Sequence, residues 1–276
     1  VWMVLALPIM YLLRSQMAAI LSLIGITAMG ALIAYDENRN AEQWRYWLLL
    51  AAWLPYYYQR LKKATQSWGT AIFNWLLALS LSVMSLAFLD LLFDDVRDHL
   101  VALYCMVIAL CFYAISRIPL LDAMRPMRTG FRPLAVLAFL WISFVYSIEN
   151  IWSHGTEEWA YGPILLLSLP AWGYLIYRSY TQKSPTLYLP SLVLPAAFLL
   201  AHALSLQEEG FIISNLAIII YGVWMIIKGA QNYAIGKLNL GMLSLAGLIT
   251  LRFFDEDIPF VIKGITFIMI GIAFFV

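Results

Sequence analysis

Charged side chains are scarce in this sequence, at 12% of 276 residues, where a soluble domain carries about 25%. Hydrophobic residues make up 63% and the mean hydropathy is +0.81, so too few polar groups exist to cover an ordinary water-facing surface. Cysteine is almost missing too. Cys105 and Cys111 fall on one expected helix, six residues apart, so they point to different faces and cannot bridge each other. They read as small apolar packing residues, which excludes a disulfide framework and a CxxC redox pair. The three histidines are too few and too scattered for paired axial haem ligands on facing helices. No phosphate-cradling glycine loop, GxSxG elbow or HExxH pair is present. Basic and aromatic residues do not interleave as in a nucleic-acid surface, so nucleic acid is not expected as a partner. The net charge of +1 says nothing about an acidic or basic partner.

Long apolar runs fill the space these absences leave. A hydrocarbon core of about 30 Å needs roughly 20 apolar residues per helical crossing. Eleven runs approach that length, near 1–13, 17–35, 44–58, 69–92, 99–117, 133–151, 160–178, 187–206, 211–228, 236–253 and 258–276. They are continuous rather than alternating, which argues for helices and against strands. The expected fold is an all-α, polytopic transmembrane bundle of about eleven helices, forming one transmembrane domain over 1–276. The third run is short, and its end at Pro55-Tyr56-Tyr57-Tyr58 reads as interfacial, where tyrosine keeps one wet edge. Val1 lies inside an apolar run, so the chain is expected to be a piece of a longer protein with additional N-terminal sequence.

The short stretches between runs sort by charge. Arg14; Arg60, Lys62 and Lys63; Arg117, Arg125, Arg128 and Arg132; Arg178 and Lys183; and Lys228 and Lys237 alternate with acidic stretches. The acidic ones hold Asp36, Glu37 and Glu42; Asp90, Asp94, Asp95 and Asp98; Glu149, Glu157 and Glu158; Glu208 and Glu209; and Asp255, Glu256 and Asp257. Arg39, Arg45, Arg97, Arg252 and Lys263 are the only bases on the acidic side, and one acid lies on the basic side: Asp122 stands alone among four arginines. The positive-inside rule puts the basic side in the cytoplasm. The expected location is therefore the inner (plasma) membrane, with Val1 outside and the C-terminus cytoplasmic. The basic stretch 118–132, rich in proline, reads first as a topological anchor against anionic headgroups and second as a site for a specific anion.

Ionisable groups at membrane depth are expensive, so each is a candidate site. Asp90 is the deepest acid, with Asp94 a turn beyond, and His202 lies near the outer end of the eighth run. Arg252 has Asp255 three residues on, a spacing that suits a pair on one helical face. His99, His154 and His202 all fall at outer, acidic ends. His with Asp or Glu suits a divalent metal or a proton relay. No spacing puts two such ligands on one helical face, so a solvated acidic rim is the simpler reading and no cofactor is expected. Asn74 and Asn215 read as hydrogen-bonding partners of neighbouring helices. Pro190 and Pro195 could break the eighth run as a transporter site requires. The stretch from Leu89 to Val96 echoes the stretch from Leu251 to Ile258, as a parallel repeat would.

The last stretch has a distinctive pattern: Lys228-Gly229-Ala230-Gln231-Asn232, then Asn239-Leu240-Gly241, a helix ending Leu251-Arg252-Phe253-Phe254-Asp255, and Gly264-Ile265-Thr266-Phe267-Ile268 with Gly271. Over about 225–276 it resembles a bacterial family of predicted membrane proteins catalogued as a domain of unknown function, number 2157 in that series. The resemblance implies a multi-pass bacterial membrane protein and brings no activity with it. Gly222, Gly229, Gly236, Gly241, Gly247, Gly264 and Gly271 would let the last three helices approach closely.

Three functions are compatible with these features. The first is a transporter- or flippase-like protein handling a small solute or lipid. The second is a non-catalytic subunit or scaffold whose partners are lipids and other membrane subunits. The third is a lipid-modifying enzyme, which would need its scattered His and Asp residues to converge.

Overall fold

The computed structural model describes residues 2–13, 15–34, 42, 44–92, 98–146, 161–181, 210–253, 261, 264 and 268. Among them the chain is all-helical, with ten α-helices and no strand. The helices are α1 (Trp2–Leu13), α2 (Gln16–Ala34), α3 (Trp44–Lys63), α4 (Trp68–Leu92) and α5 (Asp98–Ser116), then the short α6 (Pro119–Asp122). After a 3-10 turn at Pro126–Arg128 come α7 (Phe131–Tyr146), α8 (Tyr161–Thr181), α9 (Gly210–Gln231) and α10 (Ile235–Phe253). Nine of the expected runs are helices; 187–206 and nearly all of 258–276 lie outside the described residues. Helix is the form that satisfies every backbone N–H and C=O within one apolar segment. Among the described residues three helical stretches are long and apolar enough to cross a membrane: Gln16–Ala34, Trp68–Ala87 and Ile212–Gln231. Val101–Ser116 and Phe131–Val145 are apolar but shorter.

The chain divides into two compact units, the first comprising 1–139 and 156–192 and the second 140–155 and 193–276. In the first, α2 packs against α1, α3 and α4, while α5 joins α4 to α8. The interior of this unit is aromatic and hydroxyl-rich. Trp53 is fully buried, stacks on Tyr57 at 5.6 Å and donates to the Ala19 carbonyl at 3.0 Å. Ser80 lies 2.6 Å from the Thr27 hydroxyl and 2.8 Å from that of Tyr46, linking α2, α3 and α4. Outward positions are apolar: Met17, Leu21 and Leu32 on α2, and Ile72, Leu79 and Leu86 on α4 are all exposed.

The third run differs from its sequence reading. α3 does not stop at the tyrosines but continues through Pro55 to Lys63. Tyr56 and Tyr57 are buried, and only Tyr58 is exposed, beneath the Lys62 ammonium at 4.5 Å. Aromatic composition alone marks an interface, but helical spacing turns two of the three rings inward.

In the second unit α9 and α10 form a tight hairpin. A Cβ on Gly241 would stand 2.6 Å from the Gly222 carbonyl oxygen, and one on Gly229 would stand 2.5 Å from the Leu238 nitrogen, so the helices meet at backbone distance. Gly222 and Gly247 are equally closed, against Leu245 and Phe144. At Gly236 and Gly264 a Cβ would meet nothing within 4 Å among the described residues. Gly271 lies outside the described residues. The hairpin turn ends α9 with paired bonds, Tyr233 N–H to Ala230 C=O and Ala234 N–H to Gly229 C=O at 2.8 Å. This is the helix ending whose left-handed residue is ordinarily glycine. Here Tyr233 occupies it, at φ +50° and 95% exposed.

A side chain in that conformation crowds its own carbonyl, and the exposed Tyr233 ring recovers no packing energy. Tyr233→Gly is expected to stabilise the hairpin by about 1 kcal/mol. Thermal unfolding in mild detergent would report it as a raised midpoint; an unchanged or lowered one would mean that the tyrosine has a contact of its own.

Candidate functional site

The best-defined polar cluster in the first unit is built around the acid that breaks the charge pattern. α5 ends at Ser116 and the chain turns at Ile118-Pro119, because a residue before proline is pushed out of helical geometry. Pro119 then opens α6, whose last residue is Asp122. Its carboxylate accepts hydrogen bonds from Arg117 Nη1 at 3.2 Å, Arg132 Nη2 at 2.7 Å and Arg178 Nη2 at 3.4 Å. Three guanidiniums from the end of α5, the first turn of α7 and the last turn of α8 thus converge on one carboxylate. The side chains are 9 to 20% exposed, shielded yet reachable from solvent.

Each cation has a different setting. Arg117 lies over the Tyr113 ring, 4.9 Å from its centre, and donates to the Tyr113 hydroxyl; Tyr174 donates to the Arg117 carbonyl at 3.0 Å. Arg178 sits where a helix C-terminus favours a cation, whereas Arg132 sits at the N-terminal end of α7, where the helix dipole disfavours one. Partial burial by itself pushes the Asp122 carboxyl up, but Arg117 and Arg132 outweigh it and hold the carboxyl below its ordinary range.

The rest of 118–132 is a built segment rather than a loose anchor. Leu121, Met124 and Thr129 are buried. Trp75 donates its indole N–H to the Met127 carbonyl at 2.9 Å, and Asn74 donates to the Arg128 carbonyl at 2.9 Å. Gln66 donates to the Ala123 carbonyl at 2.9 Å, and the Arg128 guanidinium lies 4.9 Å from the centre of the Trp68 ring. Asn74 also accepts from the Tyr57 hydroxyl at 2.7 Å, so one buried amide joins α3, α4 and the segment. Gly130, at φ +66°, lets the backbone pass over Asn74, where a Cβ would stand 2.8 Å from the carbonyl.

Of the residues singled out from sequence, Asp94, His154, His202 and Asp255 lie outside the described residues. Asp90 is placed on α4 and His99 on α5, without a described side chain, and Arg252 is half-buried in the last turn of α10. The Pro190–Pro195 break also lies outside the described residues. Among the described residues no group of three or more His, Cys, Asp or Glu could hold a metal ion. The stretch 118–132 reads secondly as a place for an anionic ligand or partner, but the role of Asp122 in gathering its arginines does not, although it is a single acid in a stretch where every other charge is basic. Arg178 could not be assigned to the cluster, because 56 residues separate it from Asp122. The chain matches no family model, no curated protein and no solved structure.

A carboxyl held low in the folded protein stabilises it above the unfolded carboxyl's pKa, and the benefit disappears as pH falls through the lower folded value. Asp122→Asn is therefore expected to destabilise the protein at pH 7, by about 2 kcal/mol from the lost charge-assisted bonds. The gap between variant and parent should narrow as pH falls below the ordinary carboxylate range and through the lowered folded value. Thermal unfolding of both proteins across that range checks it, and a gap that stays constant with pH would remove the ionic explanation.

Proposed function

We propose that this chain is a multi-pass protein of a bacterial inner membrane, its basic loops cytoplasmic, that handles a small solute or a lipid as a transporter or flippase does. The observation that carries the reading is the reversed polarity of its helices. On α9, Ser214 is fully buried while Ile212, Leu216, Ile220 and Val223 are exposed; on α4, Thr70, Asn74 and Ser80 are buried while Ile72, Leu79 and Val83 are exposed. Water favours the opposite arrangement, whereas lipid favours this one, with hydroxyls and amides used between helices. The charge sorting supports the orientation, and the resemblance over 225–276 supports the bacterial setting. Handling a solute or lipid is supported by the Asp122 cluster, an ordered cationic group at the basic end of α5, α7 and α8 that stays partly open.

A second reading is a non-catalytic subunit or scaffold. It is favoured by large exposed aromatics such as Trp68 and Trp141, 73% and 71% exposed, which a partner helix would cover as well as lipid does.

Two measurements test these readings. With Cys105 and Cys111 replaced by alanine, Glu42→Cys and Lys62→Cys place thiols near opposite ends of α3. A membrane-impermeant thiol reagent should label the first from outside and the second only in inverted vesicles. Labelling of both from one side would end the proposed topology. Purification of the full-length protein from native membranes, with mass spectrometry of what accompanies it, decides between the functions. A solitary protein enriched in one lipid or solute is expected; a stoichiometric protein partner would replace transport by the subunit reading.

A further inference from the structure

We infer that Arg132 and Arg178, gathered by Asp122, form a binding site for a phosphate group, either the headgroup phosphate of an anionic lipid or a soluble phosphate ester. The inference deepens the proposed function and rests on its reading of this end of α5, α7 and α8 as the cytoplasmic, headgroup-level end.

The charge balance is the first argument. Arg132 and Arg178 bring two cations to a carboxylate that Arg117 also engages, so the pair holds more positive charge than its share of Asp122 offsets. They sit in side chains only 15 to 17% exposed, where water screens them incompletely. A second anion beside the pair would offset the rest.

The donor balance points the same way. A guanidinium carries five N–H donors in a fixed fork. Arg132 and Arg178 each direct an Nη2 to Asp122, and the Nε of each is buried with no acceptor among the described residues. A phosphate monoester, the form found in phosphatidic acid and in soluble phosphate esters, presents three acceptor oxygens and about two negative charges. It thus answers the surplus of donors and the surplus of charge together, which a single carboxylate would not. The choice of arginine fits as well, because its planar fork matches phosphate geometry. Access is available, since Arg132 and Arg178 are 15 and 17% exposed.

The test uses the full-length protein in mild detergent and in lipid nanodiscs, at constant ionic strength set with sodium chloride. Inorganic phosphate and glycerol 3-phosphate are the soluble probes. Nanodiscs of phosphatidylcholine, with and without phosphatidic acid, supply the lipid form. The readout is the thermal unfolding midpoint, which a ligand of the folded state raises in a saturable way. A saturable rise with a phosphate probe is expected. A response to phosphatidic acid alone identifies a lipid headgroup, and one to soluble phosphate identifies a free ester. Arg178→Gln removes the longest of the three contacts and leaves the Arg117 and Arg132 pairs with Asp122. It should raise the half-saturating concentration by about tenfold or more.

No saturable response to any phosphate probe would overturn the site and reduce the cluster to a clasp, whatever the variant does. Unchanged half-saturation in Arg178→Gln would overturn it equally. The failures separate cleanly. Phosphate binding in a protein that moves no lipid or solute across liposomes leaves the site standing and removes transport. Transfer without phosphate binding does the reverse.

Discussion

The Asp122 carboxylate is the joint on which the first unit's polar end depends. It takes hydrogen bonds from arginines contributed by α5, α7 and α8, and the nearest and farthest of these in sequence lie 5 and 56 residues away. Shielded charges of this kind are costly unless paired and hydrogen-bonded. Each arginine therefore constrains the end of its own helix to lie within reach of one point. The turn at Ile118-Pro119 matters for the same reason: it ends α5 and starts the short helix that delivers the carboxylate.

The segment carrying that carboxylate is fixed on its other side by a different device. Asn74 spans three pieces of chain by accepting from Tyr57 and donating to the Arg128 carbonyl, with Trp75 and Gln66 holding further carbonyls of the same segment. A polar side chain in an apolar interior is tolerated where its partners are in place. Asn74 meets that condition and serves as a strut. The Thr27–Ser80–Tyr46 hydroxyl network deeper in the unit meets it too. In the hairpin of α9 and α10, glycines bring the backbones together at the closest approach.

These differences explain what could be read from the sequence. Helix existence was legible because continuous apolar runs without alternation leave no other way to satisfy the backbone. α2, α4, α9 and α10 fall within a few residues of their expected bounds. The end of α3 was not legible. Pro55 and three tyrosines have the composition of an interface, and only the placement of Trp53, Phe73 and Asn74 shows that Tyr57 turns inward. Close approach was legible at Gly222, Gly229, Gly241 and Gly247, where glycine is the residue that lets two backbones meet. The site was half legible. Asp122 stood out by its charge, but sorting charges by side of a membrane treats each stretch as a sum and hides that this acid gathers its neighbours. The arginine that completes it comes from a helix with no sequence signal linking the two.

A purely structural account of the cluster leaves a remainder. One arginine pairs a carboxylate fully when the contact is bidentate, so the second and third add little that Asp122 lacks. They add repulsion instead, since like charges gathered at one partly screened point repel one another. Arg132 adds to the cost by lying at the positive end of the α7 dipole. A clasp for one loop could be built from one arginine without these costs. Arg132 and Arg178, whose Nε donors their carboxylate does not take, make physical sense when a second anion shares the site. A phosphate group is an anion with enough acceptor oxygens to take those donors.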